Sequence, residues 1–349
     1  MSLPAPVRYG FIGAGAIAQR RHLPECAANP QSEVVAIADP TPGRAAEQAE
    51  HFGGKAYTDW EKLLADETLD AVVVATPNAL HAPQAIAALD SGRHVLVEKP
   101  MATTRDEARA MIAAAERNGK HLMVGMNQRL MPAHVKARRV LERGDLGRVL
   151  AFETSFKHGG PDGWSVDGGK SWFFDKDLAV LGVNGDLGIH KADLMRFLLG
   201  EEFARVGGVV TQRDKKRPDG TDIPVDDNAW LTLETESGVV GSIHISWTHY
   251  GHFEANGTIL FCEHGVMRIG EDPTYGVIVE MKDGQKEHYA VGAMASNANQ
   301  IASGVIDSLT ADLQAGRTPV IDGAEGYAAL DVILTAVEAA AAGEMRAIG

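Results

Sequence analysis

The chain has 349 residues, of which 45% are hydrophobic and 23% charged, and its formal net charge is −14. This is ordinary globular composition at a length that suits two domains, and it argues against long disorder. The acidic balance, with no run of Lys and Arg interleaved with aromatics, argues against nucleic acid or an anionic membrane as partner.

Cys26 and Cys262 form neither a disulfide framework nor a metal spacing, which predicts a reduced, cytoplasmic protein. No apolar run reaches the roughly 20 residues that a membrane helix needs. The opening "MSLPAPVRYG" is too short and too weakly charged before its first strand to read as a signal peptide.

From Val7, "VRYGFIG" is short and apolar, as a central parallel strand is. "GAGAIA" follows at once. Gly13, Gly15 and Ala18 take the G-x-G-x-x-A positions, with Ala16 and Ile17 opening the helix. Gly13 permits the tight turn, Gly15 lets the backbone approach a pyrophosphate, and Ala18 lets helix and strand pack closely. The helix N-terminus then offers free N–H groups to phosphate. The next strand, "SEVVAIAD", ends in Asp39, about twenty residues after Ala18. At that spacing a carboxylate meets ribose hydroxyls and repels a 2′-phosphate, so NAD is expected over NADP. Arg44, in a helix beginning near Pro42, reads as a solvated helix residue.

The alternation continues. "LDAVVVAT" is a buried strand, Asn78 to Asp90 a helix, and "RHVLVEK" a strand. "TRDEARAMIAAAERNG" is a helix with a capping box, Thr104 and Glu107, and a closing Gly119. "KHLMVGMN" is another strand. This order predicts an α/β class with a doubly wound parallel sheet, a Rossmann domain over residues 1–126. Ligands of such sheets bind off the carboxyl ends of the strands. "ATPNALH" and "VLVEKP" both end strands there, so Glu98 and Lys99 leave the core where a cofactor lies. A buried charge is costly unless it is paired or used.

After Met126 the pattern changes to "RVLAFETSFK", "ARVGGVVTQR", "NAWLTLETE", "VVGSIHISWTH", "GTILFC", "GVMRIG" and "GVIVEM". Hairpin turns are predicted at Ser237-Gly238 and Asp283-Gly284. In "GSIHISWTHY", Ser242, His244, Ser246 and Thr248 alternate with Ile243, Ile245 and Trp247, which gives one polar and one apolar face. Residues 127–349 therefore read as an α+β domain with a large, mostly antiparallel open sheet, one face of which is free for substrate or another subunit. Helices over about 297–314 and 323–342 close the chain.

"NGDLGIHKADLMRFLLG" predicts a helix from near Asn184 to Gly200, with Asp186 and His190 on one face. The pair reads as an acid orienting an imidazole, as half of a metal site, or as a local hydrogen bond. The sequence holds no HExxH motif and no Cys/His cluster, so a metal is not expected. Oxidising an alcohol by hydride transfer needs a base for the hydroxyl proton. His serves at neutral pH, a carboxylate raises its basicity, and a Lys beside the oxygen stabilises alkoxide charge. Lys99, Asp186 and His190 supply these roles if that helix lies over the Lys99 strand end.

"GFIGAGAIA", "ATPNALH", "VLVEKP", "MVGMNQRLMP" and the Asp-x-x-x-His of "GDLGIHKAD", in this order, resemble the Gfo/Idh/MocA family of NAD(P)-dependent oxidoreductases over nearly the whole chain. The resemblance implies a dehydrogenase acting on a sugar, cyclitol or polyol, with Lys99, Asp186 and His190 catalytic and His190 the acid/base. It implies that Thr76, Asn78 and Asn127 line the cofactor, with His81 either doing so or capping its helix. Glu98 would orient its neighbours or meet the nicotinamide ribose. His158 and Trp172 would wall the substrate pocket or serve as core. Arg129 would stand near the site or in a structural ion pair. A cis bond before Pro100 and a homodimer or homotetramer built on the open sheet face also follow. Two kinds of relative keep the fold for other ends: a glycoside hydrolase that uses retained NAD for transient oxidation, and a dinucleotide-binding regulator without chemistry. In "LGVNGD", Val183 and Asn184 stand where the family carries glycines, so the loop and the substrate contour are expected to differ.

Overall fold

The structure is a computed structural model that describes residues 3–251, 254–292 and 303–349. Contacts divide it into two compact units, Met1–Asn127 with Ala298–Tyr327, and Gln128–Asn297 with Ala328–Gly349.

The first unit holds β1 (Val7–Ile12), α1 (Leu23–Ala28), β2 (Ser32–Ala38), α2 (Arg44–Phe52), β3 (Lys55–Tyr57), α3 (Trp60–Asp66), β4 (Ala71–Val74), α4 (Asn78–Asp90), β5 (His94–Val97), α5 (Arg105–Asn118) and β6 (Leu122–Val124). The strands form one parallel sheet in the order β3-β2-β1-β4-β5-β6. All four residues of β4 and all four of β5 are buried, as strands covered on both faces must be. The capping box at Thr104 and Glu107 and the left-handed Gly119 are present on α5. The helix expected near Pro42 begins at Arg44 instead, because Gly43 turns the chain with φ 81° just before it.

The sequence pattern places residues 127–349 in the second domain, whereas contacts assign Ala298–Tyr327 to the first unit. The helix Val305–Ala315 supplies the reason. The Glu25 carboxylate, on α1, accepts the N–H groups of Ser303 (2.7 Å), Gly304 (3.0 Å) and Asp307 (3.0 Å), so it caps that helix. The Tyr9 hydroxyl on β1 lies 2.8 Å from Thr310 Oγ1. The helix was expected from about 297; residues 297–302 lie outside the described residues.

The second unit holds α6 (Pro132–Glu142), β7 (Val149–Lys157), α7 (Lys176–Ala179), α8 (Ile189–Leu199), β8 (Phe203–Thr211), β9 (Asn228–Thr235), β10 (Val240–Ser246), β11 (Ala255–Cys262), β12 (Gly265–Ile269), β13 (Val277–Met281), β14 (Lys286–Tyr289) and β15 (Arg346–Ala347). Among the described residues these strands make one sheet, β14-β13-β12-β11-β7-β10-β9-β8-β15, antiparallel throughout except for the parallel β7–β10 pair. Both hairpin turns form, with Gly238 and Gly284 each at φ 90°. Helix α6 packs on β12 and β13, α8 on β7, and the turn Asn184–Gly188 on β10, where Ile243 and Ile245 are fully buried, as is Trp247 just beyond. The other face was expected to be polar, yet Trp230 is half exposed there and stacks on His244 at 4.0 Å between ring centroids, with Val209 and Val240 also exposed. The helix expected over 323–342 is Gly323–Ala342, and the boundary between the units falls within it.

Candidate functional site

The strand order of the first unit reverses between β1 and β4, and Gly13 leaves β1 at that point. Gly13 has φ 96°, and a Cβ there would stand 2.3 Å from the Ala75 carbonyl oxygen, so only glycine fits. A Cβ at Gly15 would meet nothing within 4 Å, which leaves its backbone open to a close-lying ligand. Ala16 and Ala18 are buried and Ile17 opens the helical turn Ala18–His22, a π-helical turn. Asp39 follows β2. Its Oδ2 accepts the Ala14 N–H and its Oδ1 the Thr41 N–H, both at 2.9 Å. The carboxylate is thus tied to the Gly-rich turn itself. A cavity of about 350 Å³ opens beside it, lined by residues that include Thr41, Gly43, Tyr57 and Lys62. Arg44, read as solvated, instead brings its guanidinium to 3.8 Å from Asp39 Oδ1. Opposite charge within one turn of chain favours that contact, which the sequence pattern does not display. A turn of small residues, the helix start behind it and a carboxylate fixed beside it fit a dinucleotide.

Further along the same sheet edge, Thr76 donates its hydroxyl to Gln84 Oε1 at 2.6 Å, and Asn78 is buried at the start of α4. His81 is fully enclosed, with Nδ1 2.8 Å from the Pro100 carbonyl and Nε2 2.8 Å from the Thr76 carbonyl. Burial pushes its pKa down. Both ring nitrogens therefore face protein carbonyls, and the ring ties the end of β4 to the residue after Lys99. The Lys99–Pro100 bond is cis. Glu98 faces His22 (2.7 Å) and Asn127 is buried just beyond β6.

In the second unit, Asp186 lies in a π-helical turn, Asn184–Gly188, that runs into α8 and His190. The expected helix starts here, but as a wider turn. The chain entering it is held by Asp226, whose carboxylate accepts the N–H of Gly182 (3.0 Å), the N–H of Asn184 (2.8 Å) and the Asn184 side-chain amide (2.8 Å). Burial raises the pKa of Asp226 against these bonds. Asp186 Oδ2 accepts the Trp247 indole N–H at 2.9 Å, and His158 Nε2 lies 3.7 Å from the same oxygen. His158 Nδ1 accepts the Gly160 N–H at 2.9 Å, so that nitrogen carries no proton and the neutral ring bears its proton on Nε2. Phe156 packs between His158 and His190, 6.0 and 6.1 Å from each. Trp172 stacks on Phe173 at 3.8 Å, and Phe173 and Phe174 both pack edgewise on Trp247. His158, Asp186 and Trp172 are thereby linked through one aromatic cluster, with His190 beside it through Phe156.

Two further charged residues of the second unit are buried. Arg129 forms a buried ion pair with Asp193, Nε to Oδ2 at 2.8 Å, which is the structural alternative for it. Lys191 is fully buried, its Nζ 5.9 Å from the Phe156 ring, and burial lowers its pKa to about 7. Trp247 stands out in the sequence only as an apolar-face residue of its alternating strand; no local signal pairs it with Asp186, 61 residues away.

A parallel sheet with a Gly-rich turn and an acid tied to that turn, followed by a mixed sheet carrying a buried Asp/His helix start, fits a nicotinamide-dependent oxidoreductase. Residues 7–126 match the oxidoreductase family with the NAD-binding Rossmann fold, and residues 134–268 match the GFO/IDH/MocA C-terminal domain. The chain belongs to the Gfo/Idh/MocA family. Levoglucosan dehydrogenase of Pseudarthrobacter phenanthrenivorans is 33% identical over 285 residues, 73% of this chain and 70% of the relative. Inositol 2-dehydrogenase 2 of Saccharopolyspora erythraea is 31% identical, over 68% of this chain and 65% of the relative. Among solved structures, levoglucosan dehydrogenase in complex with NADH superposes with a TM-score of 0.85 at 27% identity, over 98% of this chain and 99% of that one. The protein is thus an NAD-binding dehydrogenase by fold, by family and by the fit of its first unit. No helix among the described residues is long and apolar enough to cross a membrane.

Proposed function

We propose that this dehydrogenase oxidises, reversibly, a ring hydroxyl of a small carbohydrate or cyclitol, with Lys99, Asp186 and His190 as its catalytic residues. When bound, NAD supplies a hydride acceptor at nicotinamide C4. His190 takes the hydroxyl proton, and Asp186 orients and strengthens that base. Lys99 stabilises the alkoxide charge that develops. His158 presents its Nε2–H to a substrate oxygen, and Trp172 offers an aromatic wall to the sugar ring. Gly13, Gly15, Ala16, Ile17 and Asp39 hold the pyrophosphate and adenosine end, and Thr76, Asn78, Glu98 and Asn127 line the rest, with His81 stiffening that edge. The observation that carries this reading is the Asp186 carboxylate, clamped by the Trp247 N–H at 2.9 Å in a buried cluster just ahead of His190. Levoglucosan and inositol, on which the relatives named above act, head the substrate classes. The exposed Trp230 face suits a homodimer or homotetramer, and the free buried cysteines suit the cytoplasm.

The test is NADH formation at 340 nm with levoglucosan, inositols, aldoses and sugar acids. Wild type is expected to turn over at least one class. His190→Ala is expected to lose about 100- to 10,000-fold in kcat while binding NADH as before. A His190→Ala enzyme as fast as wild type would overturn the assignment.

A further inference from the structure

Glu98 directly follows the buried strand β5, and its surroundings explain why a carboxylate is there. Oε1 lies 2.7 Å from His22 Nε2, and Oε2 accepts the backbone N–H of Lys99 at 3.1 Å. Beneath it lies Gly125, where a Cβ would stand 3.0 Å from Oε1 and 3.2 Å from Cδ, so a side chain at that position would push the carboxylate aside. Burial by itself would raise the pKa of Glu98. The His22 hydrogen bond and the neighbouring His22 and Lys99 charges bring it down to about 2, so the group is an anion at every working pH.

His22 is equally constrained. It closes the π-helical turn that follows the Gly-rich loop, and it is 1% exposed. The helix α1 that continues from it is locked on its other side, where Glu25 caps the helix Val305–Ala315. Among the described residues, the ring's polar partner is Glu98, while Nδ1 makes no hydrogen bond. A ring needed only to fill space would not require a nitrogen facing a carboxylate.

We infer that His22 is a positioning residue for Lys99 that acts through Glu98: the anchored first helix fixes the carboxylate, and the carboxylate fixes the Lys99 peptide at the strand end. The inference rests on the reading of Lys99 as catalytic. The chain of contacts runs His22 Nε2 to Glu98 Oε1, then Glu98 Oε2 to Lys99 N, and every link is within hydrogen-bond distance. Small displacements of a catalytic group are expensive in rate, about 100-fold for an ångström.

The experiment compares His22→Phe, His22→Gln, Glu98→Gln and Lys99→Ala on the best substrate of the panel above, reading kcat, KM, NADH affinity by fluorescence quenching, and melting temperature. His22→Phe keeps the ring volume and loses the donor. It is expected to lower kcat roughly 10- to 100-fold with NADH affinity within about threefold. His22→Gln, which keeps an N–H donor, is expected to recover most of that loss. In a Lys99→Ala background, His22→Phe is expected to change the residual rate less than twofold. The inference fails if His22→Phe keeps wild-type kcat, if NADH affinity drops as far as kcat does, or if the His22 effect persists without Lys99. Should His22→Phe not fold, His22→Leu, which also lacks the donor, decides on the same criteria, and Glu98→Gln is read by its loss of kcat alone. Wild-type turnover by Lys99→Ala would instead remove the reading of Lys99, and the inference with it.

Discussion

The two units prepare their functional groups by different means. Both place a π-helical turn ahead of a helix, at Ala18–His22 in the first and Asn184–Gly188 in the second. In the first, the working surface is mostly backbone. Gly13 and Gly15 clear the way for a ligand, and a single carboxylate, Asp39, is tied down by the N–H groups of Ala14 and Thr41. In the second, the working surface is side chain on side chain, with Asp186 held by Trp247 and neighboured by His158. Backbone sites depend on what is missing at a few positions. Side-chain sites depend on partners gathered from distant strands, and they accumulate buried polar groups that must each be satisfied.

Substitutions that separate these two modes are expected to differ in size and in readout. The largest effect on stability is expected at Lys191, the buried ammonium beside the second unit's cluster. Burial holds its folded pKa at about 7, below the ordinary lysine value of 10.5. Between those values the unfolded chain binds more protons, so wild-type stability rises with pH across that window and is lost as pH falls toward 7. Lys191→Met is expected to flatten that slope and to stabilise the fold near pH 7 by a few kcal/mol, on the order of 2–4. Urea denaturation from pH 7 to 10 checks it, and an unchanged slope would show that the ammonium is not the cause.

Gly13→Ala tests the backbone mode. The added methyl meets the Ala75 carbonyl and its left-handed φ together. Loss of NADH affinity by tens of fold is expected, corresponding to about 2 kcal/mol, with little change in the second unit's near-ultraviolet tryptophan signal. A Gly13→Ala protein that binds NADH normally would break the contrast drawn above. Trp247→Phe tests the side-chain mode. It removes the donor to Asp186 and leaves the ring, and a buried hydrogen bond to a charged group contributes about 1.5–3 kcal/mol. We expect kcat to fall about tenfold and the acidic limb of the pH–rate profile for oxidation, where the base must lose its proton, to move, with NADH affinity unchanged. Arg44→Ala should do least. The Arg44–Asp39 pair is partly exposed, so at most about 1 kcal/mol is at stake, and NADH affinity should change less than roughly fivefold.

What the sequence makes legible follows the same division. "LDAVVVAT" and "RHVLVEK" read as strands because their buried positions are apolar in unbroken runs, with His94 at the start of β5 as the polar exception. The Gly-rich turn, Asp39 and the Thr104–Glu107 box are read from spacing, because each acts on residues only a few positions away. β3 is harder to see, since two of its three residues are exposed and it carries no apolar run. The link from Trp247 to Asp186 and that from His22 to Glu98 are invisible locally, as each joins segments dozens of residues apart. The apolar alternation that correctly buries Trp247 also hides the use of its one polar atom. The π-helical entry to α8 is likewise set by Asp226, from the far side of β8.

The capping of Val305–Ala315 by Glu25 bears on how the protein is made. A ribosome that has finished β6 holds every strand of the parallel sheet but none of the helix that Glu25 caps and Tyr9 touches. At about 5–20 residues per second, that helix emerges on the order of ten seconds later or more. During the interval one side of β1 and α1 is uncovered, and the nascent first unit depends on whatever protects exposed apolar surface at the tunnel exit. Its completion waits until the chain has reached Ala315, although its six strands are all made by Val124.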